Sequence, residues 1–167
     1  MKVIYTTQKI EENQNSIFLA GPSPRSDDVQ SWRPEAIQLL ADKGFDGVVY
    51  NSEHVDGQEG FNKSEYPPDW EWHAINQSGV LAFWVPRDME TMPALTTNVE
   101  FGYWMKGHPF LLYGRPDGAP KNRYLDWLLK KERPSAPIYK NLNDLMESST
   151  GLLNLLKELY EDKKIVR

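Results

Sequence analysis

The chain has no cysteine among its 167 residues. That absence removes thiol nucleophiles, cysteine-based zinc sites, disulfide staples and thiol redox chemistry from what it can do. No run approaches the roughly 18 to 20 apolar residues of a membrane span, and the amino-terminal residues lack the apolar core of a secretion signal. A cytoplasmic protein with no membrane partner is therefore expected. Positive charge is also in deficit, since 19 Lys and Arg stand against 24 Asp and Glu for a formal net charge of -5. A nucleic-acid backbone calls for clustered cations that release counterions, so no nucleic-acid partner is expected and a small-molecule substrate fits better. The charge run at residues 161–164 reads as a solvated helix end.

What is present is ordinary for one globular domain: 40% hydrophobic and 26% charged residues. A chain of this length buries well over half of its unfolded surface without staples or a structural metal, so a single domain over residues 1–167 is expected. Short apolar runs rich in β-branched and aromatic residues fall at 3–6, 16–20, 47–50, 80–85 and 110–113 and predict strands. Helical spacing appears at 29–43, 70–77, 98–106 and 124–131, with a leucine-rich terminal helix at 148–164. Strands and helices thus alternate. Because the strand runs are continuously apolar instead of alternating, they predict an α/β fold with a five-stranded parallel sheet covered by helices on both faces. Residues 1–13 leave room for an extra edge strand.

In open α/β sheets ligands bind beyond the carboxyl ends of the strands, so the loops leaving those ends carry the functional signal. The first, Gly21-Pro22-Ser23-Pro24-Arg25-Ser26, combines a glycine that permits close backbone approach with an arginine near a helix start. It fits either a polar-group site or a proline-rich turn. The second connection, residues 51–69, has the length of a lid and ends in Asp69-Trp70-Glu71-Trp72-His73. There an indole could stack on a flat ring while Glu71 orients hydroxyls; the same residues also fit packing and a helix start. His73 reads as a packing residue. The third loop runs from Pro86-Arg87-Asp88 to Thr96-Thr97-Asn98-Val99-Glu100-Phe101-Gly102. Thr97 and Glu100 have capping-box spacing, but a carboxylate in a first helical turn also lies in the positive end of the helix dipole. That field favours the ionised form which nucleophilic glycoside chemistry requires.

Five segments in order, Phe18-Leu19-Ala20-Gly21-Pro22, Trp32-Arg33, Trp70-Glu71, Ala82-Phe83-Trp84-Val85-Pro86-Arg87 and Thr96 to Gly102, make the chain resemble the nucleoside 2-deoxyribosyltransferase-like family over roughly residues 16 to 130. The resemblance implies a flavodoxin-like or Rossmann-like parallel sheet, a homodimer or higher homo-oligomer with sites near subunit contacts, and no metal or other cofactor. It puts the catalytic glutamate of a Glu-x-Gly motif at Glu100, with Gly102 as the glycine, and the sugar-orienting acid at Glu71. Gly21 and Pro22 would approach the sugar, with Arg25, Trp32 and Arg33 around the pocket and Trp70 against the base. The implied reaction cleaves or transfers the N-glycosidic bond of a (deoxy)nucleoside or nucleotide by double displacement with retention.

One departure matters. Members of the family carry a carboxylate about six positions before the nucleophile, where this chain has Ala94-Leu95-Thr96-Thr97-Asn98. Asn98 can hydrogen-bond a base but cannot shuttle its proton. Thr96, Thr97, Arg25 and Arg87 instead suit a phosphate, which makes a deoxynucleoside 5'-monophosphate N-glycosidase the alternative. A nucleotide-binding or sensing module without turnover, and a structural oligomer packed through its tryptophans, are the readings from other functional classes. Arg115, Asn122 and Tyr124 fit either reach into a neighbouring subunit's pocket or a loop or packing role.

Overall fold

The computed structural model describes residues 1–54 and 66–165, with side chains of the last helix as far as residue 159. In chain order the elements are β1 (Lys2–Tyr5), β2 (Ser16–Ala20), α1 (Arg33–Asp42), β3 (Val48–Asn51), α2 (Pro67–Gln77), β4 (Val80–Trp84), α3 (Leu95–Gly107), β5 (Leu111–Gly114), α4 (Arg123–Glu132) and α5 (Leu142–Ile165). The strands form one sheet in the order β1-β3-β2-β4-β5, with every pairing parallel. The expected α/β parallel sheet is therefore present, and all five apolar runs are its strands. β1 is itself the edge strand, and no sixth strand exists among the described residues.

Both faces of the sheet are covered, which explains why the central strands β2 and β4 are buried at every position. Along β2, Phe18 and Ala20 point to one face and Ile17 and Leu19 to the other, as a two-residue period requires. The first face packs against Trp70 and Ala74 of α2, Phe101 and Met105 of α3, and Leu125 and Leu129 of α4. The second packs against Ala36 and Leu40 of α1 and Leu142, Leu145, Met146 and Leu153 of α5.

All five helix starts differ from the sequence expectation, α2 at Pro67 instead of 70 and α4 at Arg123 instead of 124, and the other three shifts have local reasons. α1 begins at Arg33 instead of residue 29 because Pro34 occupies its first turn, where a missing N–H costs nothing and the ring blocks earlier helix. α3 begins at Leu95 because Ala94 takes a left-handed conformation, φ 57°, that ends the preceding loop. α5 begins at Leu142, where the Asn141 side chain accepts a hydrogen bond from the Asp144 N–H. Residues 55–65, which include most of the expected lid, lie outside the described residues. No helix among the described residues is long and apolar enough to cross a membrane.

The strand order places a switch point between β2 and β4. From β2 the chain crosses to β3 on one side, then returns past β2 to β4 on the other. Loops leaving such neighbours diverge and open a crevice between them.

Candidate active site

That crevice holds a cavity of about 350 Å³. Its walls come from Gly21, Pro22, Ser23 and Arg25 after β2, Arg33 of α1, Ser52 after β3, Glu71 of α2, and Pro93 to Thr96 with Glu100 around the start of α3. A second cavity of about 440 Å³ shares Ser23, Arg25 and Ser52 with it and adds Ser26, Ser31 and His54.

The loop after β2 is held flat by its glycine. Gly21 has φ 150°, and a Cβ there would stand 2.1 Å from the Trp84 carbonyl oxygen and 2.9 Å from the Trp32 ring. Neither backbone nor indole can yield that distance. Gly21→Ala is expected to lower stability by about 2 to 4 kcal/mol through strain and overpacking, read as a lower midpoint in denaturant; an unchanged midpoint would show that the loop relaxes freely. Trp32 does not enter the cavity. It is buried, and its indole N–H donates to the Pro22 carbonyl at 3.0 Å.

Arg33 is 1% exposed and lies 4.7 Å from the centre of the Trp32 ring. Its Nε donates to Leu19 O at 3.2 Å, Nη1 to Pro22 O, Ser23 Oγ and Glu53 Oε1, and Nη2 to Gly21 O at 2.8 Å and Ser52 Oγ. A guanidinium has five N–H groups, so all are spent on protein acceptors. Burial pushes its pKa down, while Glu53, Glu71 and Glu100 push it back up. The Glu53 carboxylate, 2.8 Å from Nη1, is held in turn by the Ser31 hydroxyl at 2.9 and 2.8 Å.

The two carboxylates lining the cavity both hold their protons more tightly than an ordinary glutamate. Burial first, and then the negative charge of Glu100, push Glu71 up to about 7, with Arg33 opposing. Glu100 is also raised by burial, again with Arg33 opposing. The helix dipole does not govern Glu100. With α3 starting at Leu95, Glu100 sits in the second turn, where the dipole has largely faded. The capping box is absent for the same reason, and α3 has no side-chain cap bond at its start.

Raised carboxyl groups favour the protonated protein. The native state holds the Glu71 proton up to about pH 7, whereas the unfolded chain releases it in the ordinary glutamate range, so stability falls as pH rises between the two. Glu71→Gln should therefore gain thermal stability relative to the wild type at pH 8 but not at pH 4, as read by melting temperature. Equal differences at both pH values would contradict the raised proton affinity.

Several residues expected at the site lie elsewhere. Trp70 is fully buried, edge-on to Tyr50, and its indole N–H donates to Gln8 O at 2.7 Å, so it belongs to the core and not to a base-stacking wall. Trp72, on the other side of α2, packs at 4.8 Å against Tyr103 and Trp104. Arg87 is buried outside the cavity and donates from Nε to Asn122 and from Nη2 to Asn98, while Asn122 donates to Val85 O at 3.2 Å. Arg87, Asn98 and Asn122 thus tie the third loop to α3 and α4. Thr97 is buried outside the cavity, and Gly102 faces open space on α3. Ser23, Ser52, Leu95 and Glu53 were not singled out from sequence. Glu53 is one of several acids in the second connection, and nothing local marks it as the partner of an arginine 20 residues earlier. Among the described residues, no three His, Asp or Glu side chains are grouped as metal ligands.

The family model described as nucleoside 2-deoxyribosyltransferase like matches residues 14–116. The chain belongs to this family. No curated protein matches the chain. The matched span of this nucleoside 2-deoxyribosyltransferase-like chain runs from just before β2 to just after β5. It therefore contains every wall of the cavity, from Phe18 to Glu100.

Proposed function

We propose that the protein is an enzyme that cleaves or transfers the N-glycosidic bond of a (deoxy)nucleoside or nucleotide by retaining double displacement. The observation carrying this reading is a pair of half-buried carboxylates, Glu71 and Glu100, lining one cavity at the switch point, each held above the ordinary carboxylate range by burial. Retaining glycosyl transfer uses such a pair. Glu100 attacks the anomeric carbon through a carboxylate oxygen. As the C–N bond breaks, its electron pair passes to the base nitrogen, which takes a proton from Glu71. The resulting glycosyl ester is attacked by an acceptor base or water, whose proton returns to Glu71 while Glu100 is released. Glu71 replaces the base-side carboxylate missing from residues 94–98, since among the described wall residues it is the one carboxyl besides Glu100.

The adjoining cavity favours a second, narrower reading. Arg25 and the hydroxyls of Ser23 and Ser26 offer donors to an anion there, beside the carboxylates of Asp27 and Glu53, which makes 5'-monophosphates the substrates of this second reading. Chromatography of free base, with wild type and Glu100→Ala on deoxynucleosides and their monophosphates, with and without an acceptor base, tests both. Base release lost in the variant supports the enzyme, and its dependence on phosphate and acceptor separates the two readings. Tight binding by both proteins with no turnover would favour a sensing module instead.

Homo-oligomer formation is supported by the exposed row Leu95, Val99 and Tyr103 on α3, next to Trp72. An apolar row of that kind is a typical contact surface. Val99→Glu should reduce the mass measured by light scattering to that of one chain. An unchanged oligomer would place the contact elsewhere.

A further inference from the structure

A cavity of about 880 Å³ lies at the other end of the sheet, where β2, β3, β4 and β5 begin, and has more than twice the volume of the crevice. α2 and α3, which carry Glu71 and Glu100, both end on it, the first through Asn76 and Ser78 and the second through Gly107 and His108. α5 covers it with Leu153, Leu156 and Lys157. None of these residues lines the crevice, and the glycosyl-transfer reading uses none of them. Charge there is balanced. Among the described residues the charged lining side chains are Asp46 and Lys157, one of each sign and both exposed, so neither an anion nor a cation is favoured. The carbonyls that two helix ends would offer a cation are also taken: Ile75 O by the Ser78 hydroxyl, Trp104 O by the His108 N–H, and Met105 O and His108 O by Arg133.

What the lining does offer is carboxamide beside an apolar wall of Trp104, Phe110, Leu153 and Leu156. Asn13 Oδ1 accepts from the Asn15 N–H at 2.9 Å, Asn15 Nδ2 donates to Asp46 at 2.9 Å, and Asn76 Nδ2 donates to Trp72 O at 2.7 Å. Each amide is thus anchored by one atom, and its other polar atom has no bond among the described residues. The Gln14 carboxamide is free at both atoms among them. The chain beneath these amides is fixed, because a Cβ at Gly47 would stand 2.0 Å from Asn15 O and one at Gly79 2.0 Å from Gln14 O. Residues 14 and 15 therefore lie directly on the starts of β3 and β4. His108 adds a buried imidazole: its Nε2 donates to Ser78 O at 3.1 Å, while Nδ1 has no partner among the described residues. That is a polar atom which the wall itself leaves unsatisfied. A carboxamide carries donor and acceptor side by side in one plane, the complement of a ring that carries both on one edge, as in the pairing of Asn or Gln with adenine. A purely apolar ligand would strip water from the amides and replace no bond.

We propose that this cavity is a second binding site, for an uncharged planar heterocycle with adjacent donor and acceptor on its edge, the chemistry of a purine base, held between the apolar wall and the amides of Gln14 and Asn76. The site does not rest on the glycosyl-transfer reading, although a base of that kind is among those the reaction would release.

Adenine titrated into the whole chain, labelled with ¹³C at leucine methyls and ¹⁵N in the backbone, reads both ends of the sheet at once by NMR. Leu153 and Leu156 report this cavity, and the Gly21 and Thr96 amides report the crevice. The expected result is saturable movement of the Leu153 and Leu156 methyls, with a Kd that rises about tenfold in Asn76→Leu and in Gln14→Leu through loss of one amide pair, and that stays the same in Glu100→Gln. Asn76 and Gln14 are both exposed, so their variants should keep the wild-type melting temperature. Indole, a two-ring ligand without the donor and acceptor edge, should bind at least about tenfold more weakly than adenine. Methyls that stay still while the crevice amides move, or that stay still altogether, would overturn the proposal. So would adenine bound equally well by both amide variants, or indole bound as tightly as adenine. Absence of base release from any nucleoside would contradict the enzymatic reading and leave this site standing.

Discussion

Glu100→Gln is expected to lower turnover by at least about 10⁴-fold while leaving substrate affinity within a few fold. Loss of a group that forms the covalent intermediate removes stabilisation present only in the transition state, so kcat and kcat/KM fall together. Glutamine keeps the shape and one oxygen acceptor, so the cavity between α2, α3 and the Gly21 loop should persist. A neutral amide there also relieves Glu71 of the negative neighbour that helps raise it. In this variant the Glu71 midpoint should drop, which NMR can read without any substrate. Retention of more than a tenth of the turnover would remove Glu100 from the role of nucleophile.

Glu71→Gln should lower kcat by about 10²- to 10⁴-fold, the range for losing a general acid. The loss should depend on the leaving base. A base that departs easily without protonation should be cleaved nearly as well by the variant as by wild type, while one that needs a proton should show the full loss. The pH profile supplies the sign. In the proposed reaction the base takes the Glu71 proton, so activity should fall on the alkaline side of about pH 7, and it should fall on the acid side as Glu100 takes up a proton above the ordinary carboxylate range. The variant should keep the acid limb and lose the alkaline one. A persistent alkaline limb near neutrality would assign the proton donor to another group.

The strands were legible because β2 and β4 are covered on both faces, and two-sided burial writes itself as an unbroken apolar run. The position of the candidate cavity followed from order alone, since the loops at strand carboxyl ends that form it are where such sheets bind ligands. Helix phase was not legible. Trp70 and Glu71 are adjacent in sequence but point about 100° apart on α2, and only packing decides that Trp70, in line with Ala74, takes the sheet side. The start of α3 was hidden because nothing in the sequence announces that Ala94, a residue with a Cβ, adopts a left-handed conformation. Three residues of shift then removed both the capping box and the dipole argument, and left burial and Arg33 to govern Glu100. Arg87 was misread because its partners Asn98 and Asn122 lie 11 and 35 residues away. A surface-loop arginine and a buried tether look the same until the chain has folded.

The central claim is a covalent glycosyl ester on Glu100. Its most direct test is mass spectrometry of the intact protein after acid quench during turnover, followed by peptide mapping, using a nucleoside or monophosphate from the active panel whose sugar slows release of the ester. The expected result is a mass increase equal to the glycosyl group, located on the peptide containing Glu100, present in Glu71→Gln with an easily departing base and absent in Glu100→Gln. Turnover at full rate with an unmodified Glu100 peptide, or an adduct on another residue, would contradict it.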